Sequence, residues 1–149
     1  MQLLSNLGVA SLMVAITVLI SFFGLIGLTR LMSGTHNRIR PQANRGRAAL
    51  LIMLVVFGIF ALHTVQIWLY AALYMLLGEI ESFEEALYFS TVNFASLGYG
   101  DILLSQKWRL VGAIEAANGV LLIAWSTSFL LTVTGRLKLL EHEWLERGD

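Results

Sequence analysis

Ser96-Leu97-Gly98-Tyr99-Gly100-Asp101 is a short polar and glycine-rich stretch set between long apolar runs. Two of its glycines flank an aromatic residue, and glycine reaches positive φ without steric cost. Backbone of this kind can present successive carbonyls to one side of a narrow path. A row of such carbonyls can replace the hydration shell of a monovalent cation.

The residues just upstream set its surroundings. Ser82-Phe83-Glu84-Glu85 has the form of a capping box, in which Ser82 accepts from the backbone at Glu85 and the Glu85 side chain reaches back. Acids in a first turn also complement the helix dipole. A helix is therefore expected over 83–94, and at about 18 Å it is too short to cross a bilayer. Backbone that follows a half-crossing helix must line a cavity or be buried in protein. That requirement falls on 96–101.

Further out, composition says the surroundings are lipid. Charged residues make up 13% of the 149 residues, about half the share of a typical soluble domain. Formal net charge is zero, so no basic face offers itself to nucleic acid, and there are no cysteines to build a disulfide framework or thiolate metal site. Three apolar runs, 7–29, 48–77 and 110–134, are each long enough to span a hydrocarbon core of about 30 Å. A signal peptide is the competing reading of the first, but no basic segment precedes it and the first charge is Arg30, behind the apolar run.

Between the first two runs, residues 30–47 carry Arg30, Arg38, Arg40, Arg45 and Arg47 with no acid, and the chain's single proline. This composition is that of a loop. The arginines mark the cytoplasmic side by the positive-inside rule, and they also suit anionic lipid head groups. The N-terminus is then outside and the C-terminus cytoplasmic. Residues 136–149 form a short tail, with leucines and Trp144 at helical spacing beside alternating charges.

Ser-Leu-Gly-Tyr-Gly-Asp resembles the Thr-Val-Gly-Tyr-Gly-Asp selectivity filter of potassium channels, and the short helix before it resembles their pore helix. The resemblance covers roughly 50–135, with the first run as an addition. It implies an all-α membrane protein with three transmembrane helices and a re-entrant pore helix and filter between the second and third. It also implies a homotetramer, because one chain supplies one filter strand of four. The domain plan is an N-terminal transmembrane helix (1–29), an Arg-rich loop (30–47), a pore domain (48–135) and the tail (136–149).

Within that resemblance, the backbone carbonyls of Ser96, Leu97, Gly98 and Tyr99, with the Ser96 hydroxyl, would bind K⁺, and Gly100 closes the filter. Asp101 would anchor the filter from outside. K⁺ in the filter is the only cofactor implied, the membrane is the plasma (inner) membrane, and conduction is passive. Gly119 falls where such channels place a hinge glycine, although a packing role is equally open. Val120, Ile123 and Thr127 share a helix face and would line the cavity below the filter.

Several residues depart from the family pattern. Ser96 and Ala95 replace two threonines, Phe89 stands where a donating tryptophan is usual, and Val92 stands where some members carry a glutamate. A weakly selective cation channel is therefore an alternative of the same architecture, and a non-conducting membrane scaffold is an alternative of another class. Among the polar residues inside the apolar runs, Glu115 is the one acid and His63 the one histidine. Glu115 is expected either to support the filter from behind or to contact His63 or Gln66 on the second run. His63 either has a direct role or is a packing histidine satisfied by Gln66 one turn away.

Overall fold

The computed structural model describes residues 2–36 and 45–136, and every regular element among them is helical. Four helices follow in order: α1 (Gln2–His36), α2 (Arg45–Leu76), α3 (Phe83–Phe94) and α4 (Arg109–Arg136). Three of them contain apolar stretches long enough to cross a membrane, at Gln2–Met32, Ala49–Leu76 and Arg109–Gly135. The described residues thus form an all-helical arrangement, with three helices long and apolar enough to span a membrane and one short helix between the second and third.

The spanning helices overrun the apolar runs at the 30–47 segment. Arg30 is still within α1, and Arg45 and Arg47 fall in the first turn of α2, so the connection is shorter than its loop-like composition suggests. Arginine is a good helix former, and a helix that projects beyond the hydrocarbon loses nothing by continuing into the interface. Arg38, Arg40 and the tail from residue 137 lie outside the described residues.

α1 and α2 pack antiparallel through a reciprocal fit. Leu62 sits over Gly24 and Leu28 sits over Gly58, each leucine occupying the space a Cβ would take. Small residues that admit a neighbour's side chain are a usual device where lipid offers no hydrophobic drive to association. A polar seam runs alongside: Gln66 donates to the Thr17 carbonyl (3.2 Å) and the Ser21 hydroxyl (2.7 Å). His63 meets Gln66 at 3.0 Å through Nδ1 and packs its ring against Phe94. Histidine and glutamine therefore satisfy one another, as the packing reading of His63 requires.

α1 also reaches α4. Asn118 donates to the Thr17 hydroxyl at 2.8 Å and to the Tyr70 hydroxyl at 3.3 Å. At the other end, Asn6 donates to the Lys107 carbonyl at 2.7 Å. The N-terminal end of α1 and the loop before α4 therefore lie at the same end of the bundle. The apolar core gathers there, where Ala10 and Met13 of α1, Tyr70 and Tyr74 of α2, Ala86 of α3 and Val111 of α4 are buried together.

Ser82 is the N-cap of α3, extended at φ −94° and ψ 132°, but its side chain makes no capping bond. The expected capping box is therefore not closed. Ser82 and Glu85 are exposed, where water can serve the first-turn N–H groups, and Glu84 and Glu85 in that turn complement the dipole without bonding.

Candidate ion path

α3 ends in a defined turn. The Ser96 N–H bonds to the Asn93 carbonyl at 2.8 Å and the Leu97 N–H to the Val92 carbonyl at 2.9 Å, while Ser96 has φ +56°. These are the two bonds and the left-handed residue of a Schellman motif. Its left-handed position usually holds glycine. A serine there costs about 1–2 kcal/mol, so the surrounding bonds must offset it.

Beyond that turn the sign of φ alternates. It is positive at Ser96, Gly98 (+56°) and Gly100 (+78°), and not at Leu97 or Tyr99. Such alternation gathers successive N–H groups on one side of the backbone and so turns the carbonyls to the other. Leu97 and Tyr99 stand out from the single chain, 55% and 67% exposed. Nothing lies within 4 Å of where a Cβ would stand at Gly98 or Gly100, so their φ, not crowding, accounts for glycine.

The far end of the stretch is tied down twice. The Tyr88 hydroxyl of α3 donates to Asp101 Oδ2 at 2.7 Å, and the Ile102 N–H bonds to Oδ1 at 3.1 Å. The tyrosine hydrogen bond holds the Asp101 carboxyl below its ordinary range. Further on, Glu79 takes both the Ser105 N–H (2.7 Å) and the Ser105 hydroxyl (2.9 Å). Glu79 thus fastens the descending loop to the α2–α3 turn.

Behind α3, Glu115 is fully buried. Its oxygens accept from the hydroxyls of Tyr74 on α2 and Ser90 on α3, and from Asn93 Nδ2 at 3.1 Å. It contacts α3 rather than His63 or Gln66, because those two are already engaged with each other and with α1. The second hydrogen of Asn93 goes to the Gly112 carbonyl at 2.8 Å. Sequence reading missed Tyr74, Ser90 and Asn93; a signal was available in their spacing, since Ser90 and Asn93 lie three apart on the face of α3 turned to α4.

Gly119 lies against the backbone of Phe94, and a Cβ there would run into the Phe94 carbonyl. This is a close helix crossing. Ile123 and Thr127 border an open groove of about 340 Å³ with Phe60 and His63 of α2 and Phe94 of α3. Val120 is half exposed and does not border it.

A short helix packed among three long apolar helices is thus followed by a stretch in which the sign of φ alternates. A family model described as "Ion channel" matches residues 54–136, more than half of the chain. The chain belongs to the two-transmembrane ion-channel family. No curated protein and no solved structure matches it. The match takes in most of α2 and all of α3 and α4, so this ion channel carries α1 in addition to the matched region.

Proposed function

We propose that four copies of this channel surround a potassium-selective path formed by residues 96–100, with K⁺ bound in succession by the carbonyls of Ser96, Leu97, Gly98 and Tyr99. The observation that carries the reading is the alternation of φ along Ser96–Gly100, which is what a strand needs to line a path with carbonyls. A single such strand has carbonyls on one side only, so copies of the same chain must supply the rest. The C-terminal end of α3 lies at Ala95, where the negative end of its dipole favours an approaching cation.

Conduction is passive. Dehydrated ions pass between carbonyl sites and each arrival displaces the next occupant. Asp101 and Glu115 support the path from outside and from behind: Asp101 through Tyr88, and Glu115 by holding Ser90 and Asn93 of α3. Val120, Ile123 and Thr127 face the cavity between copies. The arginines of residues 30–47 lie on the cytoplasmic side of the plasma membrane, and the 101–108 loop lies outside.

Cation flux into liposomes containing the purified protein tests this, with K⁺ and Na⁺ gradients compared and Gly98→Ala as control. Dominant K⁺ flux, lost in the variant, is expected, because alanine disfavours the left-handed conformation by about 1–2 kcal/mol at each copy. Equal K⁺ and Na⁺ flux identifies a weakly selective cation channel, a reading favoured by Phe89, which has no donor to offer the filter. Absence of flux at any voltage or pH points to the scaffold role.

A further inference from the structure

The loop that leaves the 96–100 stretch is held at three places. Tyr88 of α3 holds Asp101, and Glu79, just past α2, holds Ser105. The third hold comes from α1, the helix outside the family match. Asn6 Nδ2 donates to the Lys107 carbonyl at 2.7 Å, Gln2 Nε2 reaches the same carbonyl at 3.3 Å, and Gln2 also donates to Asn6 Oδ1 at 3.3 Å. Two side chains of α1 thus converge on one backbone oxygen of the loop.

The turn before α4 explains why that oxygen is open to them. The Trp108 and Arg109 N–H groups go back to the Ser105 carbonyl, and the Val111 N–H goes to the Trp108 carbonyl. These backbone bonds pass Lys107 by. Asn6 is buried although it lies on a helix apolar enough to cross a membrane, and a buried amide needs a partner. It finds that partner on the loop. Glu79 therefore holds the start of the turn and Asn6 its exit.

We infer that Asn6 is a positioning residue, through which α1 fixes the 105–109 turn and, with it, the loop back to Asp101. Its bearing on ion flow rests on reading residues 96–100 as the ion path, whereas the hold itself does not. Residues 101–105 form neither helix nor strand, so the course of this segment is set by where it is tied. Asp101 is placed from one side by Tyr88 and from the other by the position of the turn. α1 is fastened again at Thr17, to Asn118, and at Gly24, under Leu62, so Asn6 is presented to the turn at a fixed height.

Amide exchange of the full chain in nanodiscs tests this, comparing wild type with Asn6→Leu and Asn6→Ala. The two variants change side-chain volume in opposite senses and share the loss of the donor. Gly8→Ala is the control, since nothing lies within 4 Å of its Cβ position. Both Asn6 variants should exchange about two- to tenfold faster over 105–111, the loss of one neutral hydrogen bond. Exchange should also quicken over 101–104, where the Ile102 N–H reports on Asp101. Residues 13–21 of α1 should keep their wild-type protection, as should every segment of Gly8→Ala. Wild-type exchange over 105–111 in both variants overturns the inference, and so does a rise in only one of them, because volume is then the cause. A rise confined to 105–111 overturns it too, since α1 would then dock on the turn without placing Asp101. Equal acceleration over 13–21 overturns it by showing that the whole helix has let go. None of these outcomes requires flux, so failure of the ion-path reading shows separately, as wild-type flux that survives Gly98→Ala.

Discussion

Asn118 of α4 donates to the hydroxyl of Thr17 on α1 at 2.8 Å, and both side chains are buried. The bond joins the helix that precedes the channel-family match to the helix that closes it. Thr17→Val and Asn118→Leu should each lower thermal stability of the full chain in detergent, and the double variant should lose less than the sum. A coupling energy of about 0.6 kcal/mol, with about 1.7 as the upper bound, is what such bonds give in membrane proteins. Strict additivity would mean that α1 and α4 are not energetically joined at this point.

Gly119→Ala should be strongly destabilising. The added methyl meets backbone, which cannot rotate aside, so an overpacking cost of about 1–3 kcal/mol is expected. Gly27→Ala is the control, because nothing lies within 4 Å of its Cβ position and the residue is exposed. Thermal melts of the two variants provide the comparison. A hinge role for Gly119 predicts instead an intact, stable assembly with altered opening.

Glu115→Gln should fold and assemble. Its amide can face Ser90, whose hydroxyl has the Ile67 carbonyl at 3.0 Å as a second acceptor, and its oxygen can still serve Tyr74 and Asn93. Glu115→Leu leaves the Tyr74 hydroxyl and one Asn93 N–H facing a hydrocarbon side chain, at about 1–3 kcal/mol for each orphaned group. Size-exclusion profiles and melts of both variants separate the cases. Equal behaviour of Gln and Leu would show that the buried hydrogen bonds contribute nothing.

The Asp101 carboxyl is held below its ordinary range chiefly by the Tyr88 hydroxyl. A lowered folded-state value means the contact is fully present above the ordinary aspartate value of about 4 and is lost as pH falls through the lowered one. Flux with the loop side acidified from about pH 8 to about pH 5 should therefore show no loss attributable to Asp101. Tyr88→Phe should move the onset of acid sensitivity upward, toward ordinary carboxylate values. An identical acid profile in Tyr88→Phe would remove Tyr88 as the cause.

Much of the architecture could be read from the sequence because lipid enforces simple rules. Length and apolarity mark the three spans, and a helix starting beside Glu84 and Glu85 and too short to cross must give way to special backbone. The alternating φ of Ser96, Gly98 and Gly100 was legible only at the glycines. Nothing in a serine announces a left-handed turn, which is imposed by the way α3 ends. The partners of Glu115 were half legible, since Ser90 and Asn93 share a helix face by spacing, but choosing them over His63 and Gln66 depends on which helix faces α4. Thr17 gives no signal in the sequence because its partner Asn118 lies far along the chain.

That distance has a consequence for how the protein is made. Asn118 follows Thr17 by 101 residues, so at roughly 5–20 residues per second the ribosome delivers the partner only after about 5–20 s. During that interval α1 is already in the bilayer with a hydroxyl to satisfy. Thr17 can donate to its own helix at the Met13 carbonyl, 2.9 Å away, and that bond uses its proton while leaving its lone pairs open. Asn118 arrives as a donor and needs only those lone pairs. The first helix can therefore wait in lipid with that hydroxyl satisfied, and accept its late neighbour without giving up the bond it has already formed.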